Sequence, residues 1–120
     1  ESIDVEFTNK AIKDFIINTE KIVLSIKYIQ EFIADYFKIK LEHLVSQKRN
    51  KQYAHPRQIA MYLAREIINE SYPQISYAFG KKDHTTALHA YEKISREMEK
   101  DPDLRLTIER IRQELEKAQQ

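Results

Sequence analysis

Asp83, His84, Thr85 and Thr86 stand in a row just after Gly80, Lys81 and Lys82, and all four carry hydrogen-bonding side chains. An Asp accepts from the amino group of cytosine or adenine, and a His donates to N7 or O6 of a purine. A Thr offers a methyl to thymine and a hydroxyl to a phosphate. Catalysis needs a nucleophile, a base and a group that orients the base, converging on one pocket. Adjacent residues on one exposed turn do not build that arrangement. The chemistry open to this run is recognition.

The remaining candidates for chemistry support the same expectation. His84 and His89 are five residues apart, the wrong step for chelation on one helix face, and His43 and His55 have no paired ligands. The chain has no cysteine, which excludes disulfides, thiolate metal sites and thiol catalysis. No GxxxxGK[ST] phosphate loop is present. We therefore expect no catalytic residues, no metal and no cofactor in this chain.

Reading residues must be held by something, and Gly80 indicates what. It is the sole glycine of 120 residues. At a helix end, glycine supplies the left-handed residue that reverses the backbone without a Cβ clash. A short helix over 72–79, a glycine turn and a polar-headed second helix over 84–99 form the pattern of a helix-turn-helix, whose second helix commonly reads DNA. Asp83, Thr85 and Thr86 fit equally well as plain caps of that second helix, in a hairpin that only packs.

Charge is distributed unevenly. The net charge is only +1, but residues 38–65 hold seven Lys or Arg against Glu42 alone, whereas residues 1–37 hold four Lys against seven carboxylates. Lys48, Arg49 and Lys51 fall within four residues. Such clustering makes a footprint for phosphates, or else a solvated basic loop. No apolar run approaches the roughly 20 residues of a membrane span. The chain opens on Glu1 with no signal-peptide pattern, so we expect a piece of a longer, cytoplasmic protein.

One Gly, three Pro and 32% charged residues point to an all-α domain of about five or six helices. Thr8 or Asn9 could cap a first helix carrying Ala11, Ile12, Phe15 and Ile16, with a break over 19–24. Ser25 is the expected N-cap of helix 26–37, whose stripe is Ile29, Phe32, Ile33, Tyr36 and Phe37. A short piece, 41–45, precedes a basic loop from Gln47 to His55. Pro56 is expected at the first position of the next helix, whose buried stripe is Ile59, Ala60, Leu63, Ala64 and Ile67. Ser71 and Gln74 suggest a capping box for helix 72–79. Asp83 is the expected cap of helix 84–99, with Ala87, Leu88, Tyr91, Ile94 and Met98 inward. Asp101-Pro102 starts a last helix through Leu104, Ile108, Ile111 and Leu115.

Three runs carry a resemblance. His55-Pro56-Arg57-Gln58-Ile59-Ala60-Met61-Tyr62-Leu63-Ala64-Arg65-Glu66 is similar to (A/R)PRQIAMYLARE, and Tyr72-Pro73-Gln74-Ile75-Ser76-Tyr77-Ala78-Phe79-Gly80 to LPEIGxAFG. Asp83-His84-Thr85-Thr86-Ala87-Leu88-His89-Ala90 is similar to DHTTVLHA. Upstream, Tyr36 to Leu44 fits YYxIKxxDLL. In this order and spacing they resemble the C-terminal DNA-binding domain of the bacterial replication initiator DnaA, a Trp-repressor-like helix-turn-helix, from about Ile26 to Met98. Departures include Lys81 for a second glycine, Tyr72 for Leu and His55 where Arg is frequent.

The resemblance implies roles. Asp83, His84 and Thr85 would contact bases in the major groove, Pro73 a base or thymine methyl there, and Arg49 the adjacent minor groove. Lys48, Lys51, Arg57, Gln58, Arg65, Thr86 and Lys93 would contact phosphates. The partner would be double-stranded DNA carrying a DnaA box, bound by a monomer associated with the nucleoid. Residues 1–24 would end the ATPase lid and linker, and 25–120 form the DNA-binding domain. ATP or ADP with Mg would belong to the AAA+ module of the full-length parent. The resemblance also implies replication regulators and, for the linker helix 26–37, acidic phospholipids as further partners. That stripe could meet a protein or a membrane, although packing on the domain core is the expectation; Glu31 and Asp35 on its flank suit an anionic surface poorly. Another helix-turn-helix regulator remains an alternative.

Overall fold

The computed structural model describes residues 25–81 and 83–117, so the expected helix near Ala11 and the break at 19–24 lie outside the described residues. Those that are described form six helices and no strand. They are α1 (Ile26–Tyr36), α2 (Leu41–Leu44), α3 (Lys51–Ile67), α4 (Tyr72–Ala78), α5 (Thr86–Lys100) and α6 (Pro102–Lys117).

Three helix starts follow the sequence. The Ser25 hydroxyl accepts from the Tyr28 amide, 3.1 Å away, and the Ser71 hydroxyl from that of Gln74. Asp101 Oδ1 accepts from the amides of Asp103 and Leu104, with Pro102 opening α6. Each satisfies donors that a first turn leaves without helical partners. Two starts differ from expectation. Pro56 does not begin α3; the helix starts at Lys51, so half of the expected basic loop is helical. The carbonyl of Asn50 takes the Tyr53 and Ala54 amides, which founds a turn upstream of the proline. The second helix of the hairpin starts at Thr86 rather than His84, because Asp83 caps the turn before the helix instead of the helix itself.

Both α1 and α4 end in left-handed residues. Gly80 has φ +73°, and the amides of Gly80 and Lys81 reach back to the carbonyls of Tyr77 and Ser76. A Cβ on Gly80 would meet nothing closer than Val45 O at 3.7 Å, so the backbone angle, not space, calls for glycine. At the end of α1 the same double hydrogen bond turns on Lys38, with φ +60° and a Cβ to accommodate.

Helix α3 is the hub, packed most extensively on α5 and α1. Ile59, Ala60, Leu63 and Ala64 are buried with Ile29 and Ile33 of α1, Ile75 and Phe79, Ala87 and Ile94 of α5, and Ile108, Ile111 and Leu115 of α6. The centre of the α1 stripe therefore faces the core, with Phe32 and Phe37 packed at its edge. Gln30 is buried with that stripe and donates to Ala78 O at the end of α4. Around Glu66, the hydroxyl of Tyr91 and the guanidinium of Arg112 both donate, which binds α3, α5 and α6 together. Accepting charge next to the Tyr91 hydroxyl pushes that phenol up to about 12. No helix among the described residues is long and apolar enough to cross a membrane.

Candidate nucleic-acid interface

The turn 80–85 and the segment 46–50 meet at one edge of the α3–α5 pair. Asp83, His84 and Thr85 are all exposed. Asp83 Oδ1 accepts from the Thr85 amide at 2.9 Å and the Thr85 hydroxyl at 2.7 Å. Those two bonds, the hydroxyl's first, hold the Asp83 carboxyl below its ordinary range and keep it an acceptor. Asp83 is exposed, and both of these bonds fall on Oδ1.

Beside the turn runs a groove of about 510 Å³ between the start of α3 and the first half of α5. Its polar lining includes Arg49, Arg57, Gln58, Lys81, Thr86 and Lys93. It continues past Lys51 and His55 to Lys100, and on its other side reaches Asp83 through Gln47, Gly80 and Lys81. Two carboxylates line the arm that runs to Lys100: Asp101 and, against the cations, Glu97. Glu97 accepts from Lys93 Nζ at 2.6 Å and lies 3.1 Å from His55 Nε2. Lys93, chiefly, lowers its pKa, with His55 adding to the effect.

The structure thus brings Arg49, Gln58, Thr86 and Lys93 into one groove, sets Lys51 along it, and holds Asp83, His84 and Thr85 at its end. Lys48 is exposed at the rim, its ammonium 5.4 Å from the Tyr53 ring centroid. Pro73 is exposed in the first turn of α4. Two expected phosphate ligands are placed differently. Arg57 is only 6% exposed, and its guanidinium donates to the carbonyls of Leu44 (2.6 Å), Lys48 (2.9 Å) and His43 (3.1 Å). It supports the segment that carries Arg49. Arg65 lies outside the groove, over the Tyr72 ring at 4.6 Å and bonded to Glu70 O. Stacking there gives Tyr72 a contact that a leucine could not make.

Three positioning residues were not read from the sequence. Gln47 donates to Gly80 O, and Lys81 donates to Ser46 O and Gln47 Oε1, so the turn and the segment are tied together. Burial lowers the Lys81 pKa first, and Arg57 and Arg49 add to that. Ser76, fully buried, accepts from the Ala87 amide at 2.9 Å. Only Ser76 left a signal, a lone hydroxyl beside Ile75 on an apolar face. Among the described residues no group of three or more His, Asp or Glu could hold a metal ion.

Known proteins are similar in sequence and fold. A replication initiator DnaA of Caldanaerobacter subterraneus subsp. tengcongensis is 48% identical over 95% of the chain, and that of Thermoanaerobacter pseudethanolicus is 46% identical over the same share. The chain spans about a quarter of the length of these curated relatives. A crystal structure of a DNA replication initiation factor superposes with a TM-score of 0.69 at 34% identity. It covers 75% of this chain and 27% of the other. A replication initiator DnaA bound to AMPPCP and single-stranded DNA gives 0.63 at 34%, covering 75% and 28%. The family described as the bacterial dnaA protein helix-turn-helix matches residues 26–94, which takes in α1, the basic segment, the glycine turn and the exposed polar turn alike. With that match over more than half its length, the chain belongs to the bacterial DnaA helix-turn-helix family.

Proposed function

We propose that this domain binds duplex DNA at DnaA boxes and so contributes to initiating chromosomal replication. The observation that carries the reading is an exposed polar turn set at the end of a cation-lined groove. Asp83 would accept from a base amino group through the oxygen that Thr85 leaves unused, with His84 and Thr85 on neighbouring base edges of the major groove. Pro73 would touch the same groove. The segment 46–50 would bring Arg49 to the minor groove, where an A·T-rich site is narrow and most negative. Lys48, Lys51, Gln58, Thr86 and Lys93 would meet phosphates and fix the register, with little sequence information of their own. Arg57 would serve by holding the segment, and Arg65 would take no part. Binding would be monomeric, with residues 1–24 leading in from the lid of the parent protein and nucleotide handled there.

Titration of the chain with a duplex holding one DnaA box and with a scrambled duplex, at two salt concentrations, tests this reading. Box-selective affinity that persists at the higher salt supports it. Equal, salt-labile affinity for both leaves a basic helical domain without sequence reading and overturns it.

A further inference from the structure

The N-terminus of α5 is capped from another helix. Thr85 occupies the N-cap position but makes no side-chain cap bond, and its backbone is already helical. Its hydroxyl is committed to Asp83. The amide of Ala87, in the first turn of a helix that buries this residue completely, would then have no acceptor. Ser76 supplies one from α4, eleven residues back, at 2.9 Å. The same hydroxyl lies 3.4 Å from the His84 carbonyl and can donate to it. Meanwhile the Ser76 carbonyl accepts the Lys81 amide that closes the glycine turn.

We infer that Ser76 is a positioning residue for sequence reading: its hydroxyl caps α5 in place of Thr85, and so leaves the Asp83–Thr85 side-chain pair free to face DNA. The inference rests on the proposed duplex-binding function. An ordinary cap would turn the Thr85 oxygen, or Asp83 with it, onto the amides of the first turn; here Asp83 takes only the Thr85 amide and hydroxyl, both on Oδ1. With Ser76 in that role, the cap is buried and both reading side chains stay outside. The bond to His84 O sets the backbone of the third reading residue by the same atom.

Ser76→Ala removes the hydroxyl at little cost in volume. Ser76→Cys keeps the shape and offers only a weak donor and acceptor. Both are checked for folding by far-ultraviolet circular dichroism. In Ser76→Ala the Ala87 amide should exchange with deuterium roughly five- to tenfold faster than in the parent, with smaller changes in α1 and α6. The ratio of box to scrambled affinity should fall about as much, while affinity for the scrambled duplex and its salt dependence hold. Ser76→Cys should fall between. Unchanged exchange at Ala87 overturns the capping role. Faster exchange with an intact ratio makes Ser76 a cap alone and overturns its part in reading. If the unmodified chain itself shows no box preference, the duplex-reading function fails instead, and the positioning role with it.

Discussion

The turn 80–85 and the segment 46–50 carry the two sets of candidate reading residues, yet they are held by different means. The turn is built largely from its own neighbours: Gly80 supplies the left-handed angle, and Asp83 binds Thr85 two residues on. The segment has no cap of its own, since Asn50 starts α3 without a side-chain bond. Its shape comes from Arg57, whose guanidinium gathers carbonyls from His43, Leu44 and Lys48, and from Gln47 and Lys81, which lash it to the turn. Ser46 adds local bonds to the His43 carbonyl and the Lys48 amide, but the turn is specified mainly locally and the segment mainly by distant side chains. Damage to the second should therefore spread further.

The largest effect expected from this contrast is at Arg57. Arg57→Met keeps most of the apolar stem but leaves buried carbonyls without donors, which costs about 3 kcal/mol. Denaturant unfolding measures that loss, and deuterium exchange over residues 46–50 should quicken more than over 83–86. Equal quickening in both would erase the distinction. His84→Ala should cost about 2 kcal/mol in binding to a box duplex and little on a scrambled one, with stability unchanged. A loss shared by both duplexes would reassign His84 to the backbone.

A smaller change tests whether local specification holds at another left-handed position. Lys38→Gly should stabilise the domain by somewhat under 1 kcal/mol. The relief of a Cβ at φ +60° is partly offset by the greater freedom of glycine in the unfolded chain. Thermal melting decides it, and a lower midpoint would mean that Lys38 makes a contact worth more than the strain. The smallest effect belongs to Asp83, which is solvent-exposed. Its carboxyl titrates lower in the folded state than in the unfolded one, so its contribution is fully present above the ordinary Asp value of about 3.9 and fades as pH falls through the lowered folded value. Asp83→Asn and the parent should differ in melting temperature by a constant amount from neutrality down to about pH 3.9. They should converge as pH falls from there through the lowered folded value. A gap that widens toward low pH would contradict the bonding to Thr85.

What could be read from the sequence follows the same division. Ser25, Ser71 and Asp101 cap within three residues, and the stripes of α1, α3 and α5 repeat at helical steps, so the helices and their buried faces were legible. The turn around Gly80 was legible for the same reason. Arg57 looked like a free cation because its acceptors lie nine to fourteen residues away, across a bend that no local pattern encodes. Gln47 and Lys81 meet only after α3 and α4 have folded between them. Pro56 misled in a different way. Its preference for the first helical turn is statistical, whereas the carbonyl of Asn50 had already founded a helix before it. Ser76 repeats the lesson at α5, where the expected local cap turned out to be engaged elsewhere.

Pro56 also leaves a mark on how α3 opens. Proline brings no N–H, so the rung that would join it to the carbonyl of Gln52 is absent from a helix that otherwise runs from Lys51 to Ile67. Unzipping from the Lys51 end meets one weak link before it reaches Ile59 and the core. The first turn and a half can thus loosen at low cost while the remainder of α3 stays docked. In a protease digest, nicks should collect before the proline and leave the body of the helix whole.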